Sequence, residues 1–269
     1  MAFLLFKTVH NKSNRLQHLK TMTKLLIIDT ETTSVKDDSQ VCEISATLYN
    51  VSKNVRECGA IASVSFLSSV ETNEAEHING ITPELSQVGF DNSPLFGYSL
   101  KYFTSLLQRS SYLVAFNANF DKEQIKKYSK RYYGETHPIA YSGQWLCAMN
   151  DFDWGYPNKS KKGTFSLINL ALQQGIGVST AHRAGDDVRL LVEVFNRNKQ
   201  NLTELLDLAI LHSESPTIVI QANVNYNNKD LAKDAGFSWN AEGYERAWTK
   251  KIKLCDFKDD YEFEVFQIA

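Results

Sequence analysis

"LLIIDTETT", residues 25–33, carries four apolar residues straight into an aspartate, with a glutamate two positions later. An unbroken apolar run of this kind predicts a buried strand, residues 24–30, in a sheet covered on both faces. At a period of two, Asp29 and Glu31 point to the same side of that strand. Buried carboxylates are costly unless they are paired or bound to metal, so two of them at this place need a reason. The D-x-E spacing is not itself the reason. It recurs at Asp121–Glu123 and at Asp260–Glu262, the latter in a charge-rich segment that reads as a solvated face. What sets Asp29 and Glu31 apart is the apolar strand they close.

Working outward, "CEISATLYNV" (42–51) and "ECGAIASVSFLS" (57–68) read as further strands, close enough to be antiparallel neighbours. After a loop over 71–90, an aromatic-rich amphipathic stretch at 93–110 predicts a helix, and "YLVAFN" (112–117) a buried strand. A lysine-faced helix over 120–133 and a strand at 144–149 follow. Helices then come over 165–175, closed by Gly175, over 185–198 and over 202–212. The result is an α/β fold, a mixed five-stranded sheet flanked by helices. The break "SESPT" around Pro216 marks a domain boundary. It separates a domain over 23–213 from a small α+β module over 217–269.

The 269 residues are 43% hydrophobic and 22% charged, a globular composition, and the net charge of −2 gives no overall basic field for a polyanion. Any nucleic-acid contact must be local or made through bound cations. Cys42, Cys58, Cys147 and Cys255 are scattered without paired spacing, which suits reduced thiols in the cytoplasm rather than disulfides or zinc. No apolar run reaches membrane-spanning length. Residues 1–22, basic and without an acid, read as a disordered extension ahead of the first strand, and Met22 as a plausible start.

Other acids sit where chain segments meet. Asp121 stands at a strand-to-helix junction in "FNANFD", and His182, Asp186 and Asp187 stand at a helix start in "TAHRAGDDVRLL". Each alone is satisfied by the helix dipole, and spacing does not choose between Asp186 and Asp187. Convergence of such acids with Asp29 and Glu31 would change the reading. One like-charge pair at about 4 Å costs about 4 kcal/mol at an effective dielectric near 20. Several pairs would rival a domain's stability of roughly 5–15 kcal/mol. Only protonation or cations would make that tolerable. All-oxygen ligands select Mg²⁺ or Mn²⁺ over zinc, and a pair of such ions is a device for phosphodiester cleavage.

At these residues the chain resembles the DnaQ-like 3′→5′ exonucleases of the DEDDh group, with a layout similar to exonuclease X. The family's D-x-E-T-T-G is matched by "DTETTS", its H-N-A-x-F-D by "FNANFD", and its H-x-A-x-x-D by "HRAGDD". An I-H-G-I-T-like stretch is matched by "INGITPE" (78–84). Ser34, Phe116 and Asn79 depart from the pattern without removing a ligand. The resemblance implies an RNase H-like fold and a site holding two Mg²⁺ or Mn²⁺ on Asp29, Glu31, Asp121 and Asp187, the last chosen over Asp186. It implies that Asp29 bridges both ions and that His182 is the general base. An imidazole suits that role at neutral pH. Thr32 and Thr33 become candidate contacts to the terminal nucleotide. Lys159, Lys161 and Lys162 in "PNKSKKG", with the Lys122, Lys126 and Lys127 face, become candidate phosphate contacts.

The implied substrate is a single-stranded or frayed 3′ end of DNA, with 5′-mononucleotides released. An exoribonuclease of the same family is the alternative within enzymes, and a catalytically idle nucleic-acid-binding module the alternative outside them. In 217–269, Ala232, Lys233, Gly236, Trp239, Arg246 and Trp248 resemble a short domain found in proteins of nucleic-acid metabolism. Its tryptophans read as core, and the module as a surface for a homodimer or a replication or repair partner.

Overall fold

The computed structural model describes residues 22–88, 94–133, 143–156, 166–179, 182–258 and 260–269. The chain falls into two compact units that meet between Ile210 and Leu211. The expected extension lies, but for Met22, outside the described residues, as do Lys159, Lys161 and Lys162.

In the first unit, β1 (Met22–Thr32), β2 (Val41–Ser52) and β3 (Gly59–Leu67) form an antiparallel meander. β4 (Tyr112–Ala115) runs parallel to β1, and β5 (Gln144–Cys147) parallel to β4, in the order β3-β2-β1-β4-β5. The mixed five-stranded sheet is therefore the one read from the sequence. Two short helices, α1 (Glu76–Asn79) and α2 (Pro83–Val88), occupy the segment expected to be loop. Neither is long enough to show an apolar stripe. α3 (Pro94–Arg109), α4 (Ala118–Tyr133), α5 (Leu167–Gln173), α6 (Ala184–Arg197) and α7 (Leu202–Glu214), whose last turn belongs to the second unit, complete the helices. Gly175 follows the last turn of α5 at φ 70°, a conformation that L side chains resist.

β1 explains the two layers. Leu25 and Ile27 pack on one face with Tyr49, Phe152, Val188, Leu191 and Phe195. Leu26 and Ile28 pack on the other with Ile44, Leu48, Phe103 and Ile125. Alternation along a pleated strand sends successive side chains to opposite faces, and helices cover both. Phe195 is fully buried, edge-on to Tyr49, Phe152 and Trp154. Phe195→Ala is expected to cost about 3–5 kcal/mol, read as a lower urea midpoint for this unit.

β1 is longer than expected. It pairs with β2 beyond residue 30, with Glu31 opposite Glu43 and a register shift between Glu31 and Thr32. Both acids therefore lie within the strand, on the face of Leu25 and Ile27, which α6 covers.

The second unit is a four-stranded antiparallel sheet in the order β7-β8-β6-β9, built from β6 (Thr217–Asn223), β7 (Ser238–Trp239), β8 (Trp248–Lys253) and β9 (Glu264–Gln267), with α8 (Lys229–Asp234) between β6 and β7. Gly236 closes α8 at φ 84°. Ile220, Ala232 and Phe237 form the core, and Trp248 packs against it. The expectation for Trp239 needs correcting: it lies 5.6 Å from the Trp248 ring but remains 52% exposed. β7 is a two-residue edge strand paired only with β8, and both of its residues are exposed. Lys250 and Lys253 direct their ammonium groups to the backbone carbonyls of Ala235 and Ser215. Among the described residues no helix is long and apolar enough to cross a membrane.

Candidate active site

Asp29, Glu31 and Asp187 each offer a carboxylate oxygen within 4.8 Å of the others. Two come from β1 and one from the first turn of α6, 156 positions along the chain from Glu31. The grouping takes Asp187 and leaves Asp186 outside. Asp121, nearly fully buried at the start of α4, lies outside this grouping of three. Its Oδ1 accepts from the Thr30 amide at 3.0 Å and from the Thr30 hydroxyl at 2.9 Å. Thr30 belongs to the opposite face of β1 from Asp29 and Glu31, so Asp121 approaches from the other layer of the sheet.

The electrostatics follow from crowding. Burial, then Asp121, Asp187, Glu31 and Glu43, push the Asp29 carboxyl well above the usual carboxylate range. Burial, then Asp187 and Glu43, raise Glu31 to about 8, partly offset by Arg183. Asp121 is raised by burial against the hydrogen bonds from Thr30. Asp187 is raised by burial and eased by His182, whose backbone amide donates to it. An all-oxygen donor set this close, with no cysteine or histidine among the three, fits a hard divalent cation. Such an ion would supply the charge the cluster lacks.

A proton that folded Glu31 retains is released by the unfolded chain between its ordinary value of 4.5 and about 8. The folded state binds more protons across that window, so its stability falls as pH rises through it. In metal-free protein the melting temperature is expected to drop from pH 5 to pH 8, the window set by Glu31. Excess Mg²⁺ or Mn²⁺ at the upper pH should restore it. Differential scanning calorimetry checks both, and a rising metal-free profile would contradict this account.

His182 is exposed and has a positive φ of 65°, a left-handed backbone at a residue that is not glycine. Such strain costs of order 1–3 kcal/mol and persists only where neighbouring structure imposes it. Thr32 and Thr33 are buried, with hydroxyls engaged in their own loop: Thr32 donates to the Ser34 carbonyl, and Thr33 accepts from the Gln40 amide. Asn79 is buried and donates to the Thr32 carbonyl, while its own oxygen accepts from Asn73 and from the Ile81 amide. It thus ties α1 to the loop after Glu31. Phe116 packs against the core. Lys122, Lys126 and Lys127 are exposed along α4, and Lys127 also reaches the Asp37 carbonyl.

Sequence reasoning missed Glu43. It is 4% exposed and accepts from Arg183 Nε at 2.9 Å, Arg183 Nη2 at 3.0 Å, the Ala184 amide at 3.0 Å and Ser65 Oγ at 3.2 Å. The available signal was a single charge inside the apolar run "VCEISATL". In the second unit, His212, Cys255 and Asp256 also lie within 4.8 Å of one another. His212 Nε2 is 3.1 Å from Asp256, a histidine–carboxylate contact of the ordinary surface kind.

A family model described as "Exonuclease" matches residues 26–195, the stretch that holds Asp29, Glu31, Asp121, His182 and Asp187. The chain belongs to the DnaQ-like DEDDh 3′→5′ exonucleases. It is an exonuclease by family, and the family is divalent-metal dependent. A model of a domain of unknown function matches residues 218–268. DNA polymerase III subunit epsilon of Treponema pallidum (strain Nichols) is 29% identical over 194 residues, covering 71% of this chain and 83% of that protein. Among solved structures, a 3′-exonuclease in recognition of a histone mRNA stem-loop superposes with a TM-score of 0.53 at 14% identity, covering 70% of this chain and 86% of that one. The nuclease domain of 3′hExo, a DEDDh member bound to rAMP, gives 0.51 at 15%, covering 70% and 97%. Cell-death related nuclease 4 gives 0.50 at 15%, covering 88% and 83%. These likenesses show the RNase H-like exonuclease fold.

Proposed function

We propose that this exonuclease removes nucleotides from 3′ ends of DNA, using two Mg²⁺ or Mn²⁺ and His182 as general base. The observation that carries this reading is the meeting of Asp29, Glu31 and Asp187 within 4.8 Å, from two elements far apart in the chain. Asp29, Glu31 and Asp187, with Asp121 brought against Thr30 by α4 and acting on Asp29, would hold the ions. Ions bound there neutralise the carboxylates and polarise the scissile phosphate. The remaining work belongs to side chains. Thr30 fixes Asp121 through two hydrogen bonds. His182, exposed beside Asp187, takes the proton of the attacking water at an imidazole nitrogen. The water oxygen bonds to phosphorus, the bond from phosphorus to the preceding 3′ oxygen breaks, that oxygen takes up a proton from solvent to become the new 3′ hydroxyl, and a 5′-mononucleotide leaves.

Similarity to a DNA polymerase subunit at 29% identity supports DNA. The histone mRNA and rAMP of two structural neighbours, at 14% and 15% identity, support RNA as a second reading. Residues 217–269 are proposed as the surface for a replication or repair partner or a second copy, and the free cysteines fit the cytoplasm. The test is degradation of 3′-extended DNA and RNA, labelled at the 5′ end, with and without Mn²⁺. Stepwise shortening of DNA alone supports the first reading, and shortening of RNA alone the second. No shortening of either overturns both.

A further inference from the structure

We infer that Glu43 and Arg183 form a clamp that positions His182 and Asp187, making them positioning residues of the site rather than ligands. The inference rests on the nuclease reading above. Each Glu43 oxygen already accepts two hydrogen bonds: Oε1 from Arg183 Nη2 and Ser65 Oγ, Oε2 from Arg183 Nε and the Ala184 amide. A carboxylate offers about four acceptor positions. Glu43 therefore has none left for a metal, although it faces Glu31 across the β1–β2 ladder. It also stands outside the three-carboxylate grouping.

What those four bonds hold is the entry to α6. Arg183 is the residue before the helix, and its side chain makes no capping bond to the first turn. The first orphan amide, that of Ala184, is capped instead by Glu43 from the neighbouring strand. One residue upstream of the clamp is His182 with its left-handed backbone, and its amide donates to Asp187. Residues 182 to 187 thus run from the proposed base to the proposed ligand, with the clamp between them. The pairing also places a guanidinium beside two cross-strand acids that would otherwise repel. Held this way, the start of α6 has one position relative to β1.

The test compares Glu43→Gln, Arg183→Ala and the double variant with the wild-type chain. Arg183→Ala keeps the design independent of any folding defect in Glu43→Gln, because the Arg183 side chain is 39% exposed. Mn²⁺ affinity is measured by electron paramagnetic resonance titration, and kcat and KM on end-labelled DNA. Each single variant is expected to lose about 10–100-fold in Mn²⁺ affinity or in kcat, with KM nearly unchanged. The double variant is expected to be no worse than the poorer single, since coupled neighbours are not additive. A role in stability alone would lower the melting temperature and leave Mn²⁺ affinity of the folded protein intact; that result overturns the inference. So do losses that add in the double variant. An inactive wild type would overturn the nuclease reading, while the Mn²⁺ titration would still decide for or against the clamp.

Discussion

Exchange of Asp29 for asparagine is expected to reduce metal-supported nucleotide release by on the order of 10³-fold. Asp29 is the acid on which burial and all four neighbouring carboxylates act together. Without cations the cluster therefore disfavours the Asp29 carboxylate, and bound cations would favour it. Lewis-acid stabilisation amounts to several kcal/mol, and each factor of ten in rate takes about 1.4 kcal/mol. A second signature separates this from simple misfolding. Because burial and the neighbouring carboxylates disfavour the Asp29 carboxylate, the uncharged asparagine should make metal-free protein more stable at pH 8, not less, and should abolish the rise in melting temperature on adding Mn²⁺. Activity within tenfold of wild type would remove Asp29 from the machinery, and with it the case against an idle binding module.

Replacing His182 should cut turnover by roughly 10²–10⁴-fold while leaving metal affinity nearly intact. The reasoning is that only the imidazole is lost. Residue 182 acts on Asp187 through the imidazole charge and through its backbone amide; any residue keeps the amide bond, and the carboxylate remains in place to bind metal. Two substitutions are needed, because φ is 65° here. His182→Ala loses the side chain and retains the strain, whereas His182→Gly loses the side chain and relieves it. Equal loss of kcat in both, with Mn²⁺ binding preserved by titration, assigns the effect to the proton acceptor. Recovery in His182→Gly would assign it to backbone geometry instead.

Some of this was legible in one dimension and some was not. Buried β1 announces itself because four consecutive apolar residues are needed on both faces of a covered strand. The meander and the later β–α alternation follow from spacing. The helices of residues 76–88 did not show, because elements of four and six residues carry no periodic stripe. The inward turn of the Thr32 and Thr33 hydroxyls did not show either, since a loop closing a buried strand needs its own hydroxyls to satisfy backbone groups.

The sequence by itself determined a mixed sheet with acids on a buried strand, a histidine and a pair of aspartates at a helix start, and a second small module. These follow from local pattern, read residue by residue along the chain. The motif resemblance had already chosen Asp187 over Asp186; only the tertiary structure decided that its carboxylate lies within 4.8 Å of Asp29 and Glu31, that Asp121 is held by Thr30, and that Glu43 is spent on Arg183 and Ala184. The physical reason is distance along the chain. Glu43 and Arg183 are 140 residues apart, and whether a buried acid is ligand or anchor depends on which donors the fold brings to its four acceptor positions.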